Sequence, residues 1–364
     1  MPDHPYGVDM MRRKTSGIAR FLKVTAVAAS AWTMAASAPL HAQGSGDPGF
    51  DAYVQSLWPK AQAKGVSRAT FDRVTAGLRY NARVVALDRD NLGSPPSPNT
   101  PIPAFAPYKA KHVDAARIGG GRRVHDRLLP LLSRIEARTG VPTSIMIAIF
   151  GHETAYGQVT GNFDLPEALA TLAYEGRRRS LFEPEFLATL QMVERGVPRQ
   201  VLKGSWAGAF GYPQFLPSVY LEVAEDGDGD GRANIWSSEA DAIESIGAYL
   251  RRAGWRAGQP WGVAVRVPDG FNRARVASKL QATRCPRVFE RHSRWRSMAE
   301  WRADGIVPAG GRWPADHVQA TLLEPDGPGK TAYLLTGNYR AILDYNCSNF
   351  YALSVGLLAD EIDR

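Results

Sequence analysis

A chain of 364 residues with 44% hydrophobic and 22% charged side chains and a formal charge of +8 is long enough to bury a substantial core in two or three domains, which excludes a disordered or fibrous protein. The positive balance suits an anionic polymer, a membrane surface or a cell wall, and charge alone does not choose among them.

The first segment reads as a secretory signal: Arg12, Arg13, Lys14, Arg20 and Lys23 precede an apolar, Ala-rich run over 24–38. That run is shorter than the roughly 20 residues that span a bilayer and is bracketed by Lys23 and Pro39. Cleavage is expected after Ala42, and no Cys lies beside it, so no stable membrane anchor is expected; Met10 or Met11 is an alternative start. Removing 1–42 leaves 39 basic and 34 acidic side chains, a charge of +5. Export argues against nucleic acid as the partner. It also places Cys285 and Cys347 in an oxidising compartment, where a bridge between them is expected and two buried thiols are the alternative. Closing that loop stabilises by roughly 4 kcal/mol on the chain-entropy model.

Helical periodicity runs through 50–87 (Val54, Leu57, Trp58, Phe71, Val74), and Ser94-Pro95-Pro96-Ser97-Pro98 with Pro101 and Pro103 marks an extended connector. Helices are predicted over 124–137, 143–154, 165–175, 183–195 and 239–253, with Thr143 capping the second and Gly157 beyond its end. From Trp261 the period changes: 263–267, 319–323, 333–335 and 340–345 read as antiparallel strands, and 351–362 as a final helix. The expected fold class is α+β, mainly helical. Its divisions are a helical segment and connector over 43–104, a helical catalytic core over 105–260, a small β domain over 261–345, and a helix over 346–364 returning to the core.

Gly151-His152-Glu153-Thr154-Ala155-Tyr156-Gly157 puts one carboxylate at the end of the apolar run Ile145-Met146-Ile147-Ala148-Ile149-Phe150. Burying a carboxylate keeps it protonated near neutrality, as a general acid requires; the bland alternative for Glu153 is a helix-end surface group. Further on, Gly204-Ser205-Trp206-Ala207-Gly208-Ala209-Phe210-Gly211-Tyr212-Pro213-Gln214-Phe215-Leu216-Pro217-Ser218 interleaves small residues with Ser205 and Gln214. Small residues admit a ligand or a close backbone.

Together these two blocks resemble the signatures of the lytic murein transglycosylase B family. The resemblance covers about 105–360 and includes Ala168-Leu169-Ala170-Thr171-Leu172 and Tyr345-Asn346-Cys347-Ser348-Asn349-Phe350-Tyr351. It implies a goose-type-lysozyme-like core between a helical domain and a small antiparallel β domain. It also implies a periplasmic enzyme that cleaves the MurNAc-β-1,4-GlcNAc bond of peptidoglycan without water. Glu153 would protonate the glycosidic oxygen, then take the proton of the muramoyl O6 hydroxyl as that oxygen closes on C1 to give a 1,6-anhydro ring. A two-carboxylate glycosidase needs a second acid, about 5 Å away for retention. Asp164 and Glu167 are nearest in sequence, but the family pattern gives neither that part, and the substrate's N-acetyl group is held to stabilise the oxocarbenium-like centre.

By the same resemblance Ser205 and Gln214 hold the sugar near the scissile bond, while Tyr108, Tyr345, Asn346 and Tyr351 line the groove, tyrosine offering a stacking face with a polar tip. Arg177 and Arg178 match a basic pair facing peptide or lactyl carboxylates; a solvated charge run is the alternative. Tyr156 stands where Trp is frequent. Cys347 occupies an often polar position and, paired with Cys285, would tie a groove-lining strand to the β unit.

Asp226-Gly227-Asp228-Gly229-Asp230-Gly231-Arg232 is the opening half of an EF-hand, with Arg232 offering its carbonyl. Ser237 stands at the twelfth position, and Asp241 is expected to close the site as in the family's longer loop. Hard oxygens favour structural Ca²⁺ over Zn²⁺, with a solvated acidic turn as the alternative. No organic cofactor is implied. The expected partners are glycan strands and wall-synthesis or remodelling proteins, and a monomer is expected. Two other functions stay open: a lysozyme-type hydrolase and a non-catalytic calcium-dependent wall-binding protein.

Overall fold

The computed structural model describes residues 47–90, 103–278, 282, 285–311 and 313–364. The expected signal over 1–42 and nearly all of the proline connector lie outside them. No helix among the described residues is long and apolar enough to cross a membrane.

The chain opens on four short helices, α1 (Pro48–Ser56), α2 (Trp58–Ala63), α3 (Arg68–Thr75) and α4 (Ala82–Asp90). Asp47 caps α1 through Gly49 N–H at 2.9 Å, and Ser67 caps α3 through Thr70 N–H at 3.2 Å. Phe50, Leu57, Phe71 and Val74 are buried in one core that continues into the rest of the helical body. After α5 (Phe105–His112), α6 (Ala115–Thr139) is capped by Asp114 and is much longer at its start than the predicted 124–137. Its Gly119-Gly120-Gly121 run carries no apolar period. Tertiary packing makes that first third helical, because the side chains of Tyr156 and Ile362 seat on these glycines.

α7 (Thr143–Thr154) keeps its predicted bounds and is buried on nearly every face, as a helix apolar all round must be. Thr143 is not its cap. Pro142 holds that position, and Glu136 Oε2 accepts the Thr143 N–H at 3.1 Å, so the first donor is satisfied from α6. α8 (Leu165–Glu175), α9 (Arg179–Glu194), α10 (Pro217–Val223) and α11 (Glu239–Arg252) complete the helical body, with a ribbon of β1 (Phe163–Asp164) and β2 (Lys203–Gly204).

The β unit comprises β3 (Gly262–Arg266), β4 (Arg296–Ser297), β5 (Val307–Pro308), β6 (Gln319–Leu323) and β7 (Ala332–Leu335), antiparallel throughout in the order β4-β6-β7-β3-β5, with α12 (Pro286–Phe289) and α13 (Met298–Ala303) beside it. The two-residue period puts Ala332 and Leu334 in a small separate core with Trp301 and Met298, while Tyr333 and Leu335 face the helical body. The sheet is therefore buried on both sides.

The strand expected over 340–345 is a helix, α14 (Gly337–Tyr345). Ala341, Leu343 and Tyr345 alternate like a strand, but Asn338 and Ile342 are buried as well, and Thr336 Oγ1 accepts the Asn338 N–H at 3.1 Å to start a helical turn. Asn338 then donates to the Arg256 and Gln259 carbonyls at 2.9 and 2.6 Å, which pins that turn. α15 (Asn349–Ile362) runs against α7. Cys285 and Cys347 are disulfide-bonded with Cα atoms 5.8 Å apart. The bridge reaches the turn between α14 and α15, not a strand.

Candidate active site

Glu153 lies half-buried in the last turn of α7, and its Oε1 accepts the Tyr351 hydroxyl at 2.9 Å. Tyr351 is positioned by the start of α15, where Ser348 Oγ accepts its N–H at 3.3 Å. Burial, then the Glu153 carboxylate, pushes the Tyr351 phenol well above its ordinary value, so it stays a donor. The same two causes raise buried Tyr345, whose hydroxyl donates to the Pro213 carbonyl, and push Tyr108 up to about 12. Of the tyrosines named from sequence, Tyr351 thus touches the carboxylate, and Tyr345 and Tyr108 lie near enough to feel its charge.

Behind them stands a network the sequence did not reveal. His152 is held neutral by burial, its pKa lowered to about 3. Its Nδ1–H donates to the Ala148 carbonyl at 2.9 Å, and its Nε2 lies 2.8 Å from Ser354 Oγ, whose hydroxyl donates to the Tyr351 carbonyl at 2.8 Å. His112 stacks on Tyr108 with ring centroids 3.9 Å apart. His152 sits in the quoted block, and only its i−4 carbonyl and a partner 202 residues away give it this part.

The chain leaves α7 through three left-handed residues, Ala155 (φ 49°), Tyr156 (φ 59°) and Gly157 (φ 83°). Each non-glycine there costs on the order of 1–3 kcal/mol and persists only where surroundings enforce it. The enforcement is visible: Tyr156 donates to the Arg117 carbonyl at 2.6 Å, and its ring fills a slot where a Cβ on Gly120 or Gly151 would lie 2.5 Å from it. Thr154 Oγ1 accepts the Gly157 N–H and donates to the Tyr212 carbonyl, both at 3.1 Å, latching the end of α7 to the small-residue segment.

That segment is compact because backbone meets backbone: a Cβ on Gly161 would lie 2.5 Å from the Gly204 carbonyl. Ser205 Oγ accepts the Ala209 N–H at 3.0 Å. Gln214, at φ 52°, donates to the Gly211 and Thr160 carbonyls at 2.9 and 3.3 Å. Asn346 is buried, and among the described residues its Oδ1 has no partner.

The carboxylates nearest in sequence are committed elsewhere. Asp164 caps α8 and takes Arg199 Nη2 at 2.8 Å on both oxygens. Glu167 accepts from Asn81 Nδ2 at 3.0 Å and Arg79 N at 3.3 Å. Arg177 and Arg178 both pair with Asp88 of α4, a carboxylate only 3% exposed. The pair is therefore no solvated charge run, and it anchors the N-terminal helices to the α8–α9 turn. Asp88 carried no signal in the sequence.

In the acidic loop the carboxyl oxygens of Asp226, Asp228 and Asp230 lie within 4.8 Å of one another. Asp226 accepts from Gly229, Asp230 and Gly231 N–H at 2.7, 3.1 and 2.7 Å, and the Arg232 carbonyl accepts the Asn234 N–H at 3.2 Å. Asp241 does not join the cluster. It is fully buried at the start of α11 and accepts from Gly227, Asp228 and Asn234 N–H at 2.9, 3.3 and 2.7 Å, which pins the loop to the helix. Three converging hard oxygens fit Ca²⁺, with Asp241 ordering the loop that carries them.

The family described as the transglycosylase SLT domain matches residues 49–360. The membrane-bound lytic murein transglycosylase B of Escherichia coli (strain K12) is 32% identical over 269 residues, which is 73% of this chain and 69% of that protein. SltB3 from Pseudomonas aeruginosa, solved in complex with NAG-NAM-pentapeptide, superposes with a TM-score of 0.75 at 36% identity, covering 86% of this chain and 79% of that one. The Escherichia coli lytic transglycosylase Slt35, solved in complex with calcium, gives 0.66 at 28% identity over 87% and 95%. A family match over most of the length, together with a relative 32% identical over 73% of the chain, makes this chain a member of the SLT-domain transglycosylases, enzymes named for lytic action on murein.

Proposed function

We propose that the chain is a periplasmic lytic transglycosylase that cuts the MurNAc-β-1,4-GlcNAc bond of peptidoglycan without water and leaves 1,6-anhydromuramoyl ends. The observation that carries this is the Tyr351–Glu153 hydrogen bond at 2.9 Å, together with the commitment of Asp164 and Glu167 to structural bonds. One carboxyl is oriented for chemistry, and the two sequence-adjacent candidates for a second are occupied.

With Oε1 accepting from Tyr351, the transferable proton is carried on Oε2. Glu153 delivers it to the glycosidic oxygen as the C1–O4 bond breaks, and the carboxylate then takes the proton of the O6 hydroxyl as O6 bonds to C1. The substrate's N-acetyl group serves in place of a nucleophilic carboxylate, as in the substrate-assisted exceptions to carboxylate pairing. Tyr108, Tyr345, Asn346, Ser205 and Gln214 supply the groove wall, and the unpartnered Asn346 Oδ1 is suited to a sugar N–H or hydroxyl. Asp226, Asp228 and Asp230 hold a structural Ca²⁺ that rigidifies the loop before α11. The exported chain acts as a monomer on glycan strands.

The test is mass spectrometry of sacculus digests made with wild type and Glu153→Gln. Anhydromuramoyl products from the wild type and none from the variant are expected. Reducing ends from every cut would identify a hydrolase, and full muropeptide release by Glu153→Gln would remove the acid from the reaction.

A further inference from the structure

A cleft of about 1700 Å³ lies between the β unit and the helical body. Glu153 and Tyr351 meet at one end of the α7–α15 pair. Ser144 and Asp363 are hydrogen-bonded at 2.8 Å at the other end, and Asp363 lines the cleft. The helix between Ser144 and Glu153 spans roughly 14 Å, and Glu153 is not among the lining residues.

The lining has an aromatic platform and an unbalanced charge. Trp295 is 38% exposed, and Trp313 is half-buried under the Arg302 guanidinium at 5.5 Å. Arg340 is packed between the rings of Phe289 at 3.8 Å and Trp295 at 5.0 Å. Burial lowers its pKa to about 10, and among the described residues no carboxylate pairs with it. The two acids on the wall, Asp360 and Asp363, form no ion pair with it; Asp360 accepts the Trp261 Nε1–H at 3.1 Å and Asp363 the Ser144 hydroxyl at 2.8 Å. A guanidinium held between rings without a counter-ion is costly, and it is the residue type that best takes a planar carboxylate. Clefts between structural units are also where ligand sites concentrate.

We propose that this cleft binds a second stretch of carboxylate-bearing glycan, with an amino-sugar ring on Trp295 and a stem-peptide carboxylate on Arg340. The identity of the polymer rests on the proposed function. The cleft would hold the wall while the groove at Glu153 cuts it.

The test is calorimetric titration of N-acetylmuramoyl dipeptide, and separately of uncharged chitotetraose, into the full chain. Arg340→Gln is expected to weaken the dipeptide roughly tenfold and leave chitotetraose unchanged, whereas Trp295→Ala weakens both by roughly fivefold. Arg340→Lys keeps the cation should the glutamine variant fail to fold. Dipeptide that does not bind at millimolar concentration, or that binds folded Trp295→Ala and Arg340→Gln like wild type, overturns the proposal. Equal loss of both ligands in Arg340→Gln overturns the carboxylate assignment. Both variants should cut short soluble glycans at the wild-type rate, so a failure here is separate from a failure of the reaction assigned to Glu153.

Discussion

The Tyr351 hydroxyl donates to Glu153 Oε1 at 2.9 Å across 198 residues of chain, joining the last turn of α7 to the first turn of α15. Since Tyr351 is buried and stays protonated, it orients the carboxyl. Tyr351→Phe removes one donor to a charged group, worth roughly 1.5–3 kcal/mol. The turnover number on purified sacculi should fall by roughly 10- to 100-fold, with binding little changed. A turnover equal to wild type would show that the bond does not orient the acid.

Gly120→Ala tests whether the left-handed exit from α7 is held by its surroundings. The new Cβ would lie 2.5 Å from the Tyr156 ring, and overpacking of this kind costs typically about 1–3 kcal/mol. A lower melting temperature and weaker activity are expected together, because Tyr156 directly follows the Glu153–Ala155 turn. Restoring space with Gly120→Ala/Tyr156→Phe would not suffice, as the ring remains; Tyr156→Ala in the same background should recover part of the stability.

Acid should unfold the protein through its buried histidines. Burial lowers His152 and His292 to about 3 from 6.5, and both are hydrogen-bonded as neutral rings. The unfolded chain therefore binds more protons between those values, so their contribution is complete above pH 6.5 and is lost as pH falls toward 3. Each histidine contributes a slope of about 1.4 kcal/mol per pH unit inside that window. Denaturant midpoints measured across it should fall with pH, and His292→Gln should flatten the dependence. An unchanged slope would count against the neutral ring.

Calcium should raise the melting temperature through Asp226, Asp228 and Asp230. A ligand bound only by the folded state adds roughly 2.7 kcal/mol at a hundredfold excess over its Kd. Scanning calorimetry with calcium and with a chelator should show that shift, and Asp228→Asn should reduce it. A transition insensitive to both would mark the loop as an acidic turn ordered by its own N–H bonds.

Much of the fold was legible because local pattern and burial agreed. The bounds of α7, α8 and β6 follow from apolar runs delimited by Gly, Pro and caps, and Glu153 stood out as the lone charge ending such a run. Where the two levels disagreed, pattern misled. The alternation of Ala341, Leu343 and Tyr345 mimicked a strand, whereas the less-buried positions Gly337, Arg340 and Asp344 recur at helical spacing. The glycines opening α6 hid a helix that only the Tyr156 ring and Ile362 call for.

The sequence by itself determined the chemistry on offer: one carboxyl after an apolar helix, tyrosines and amides in separated blocks, three alternating aspartates, and two cysteines. Residue type and local spacing are enough to specify these. Tertiary structure decided which of them act on one another. It set Tyr351 against Glu153, turned Asp241 from the expected ligand into the anchor of its loop, and closed Arg177 and Arg178 onto Asp88. Those partners lie far apart along the chain or depend on which way a buried carboxylate faces, and only the packing of helices around α7 fixes either.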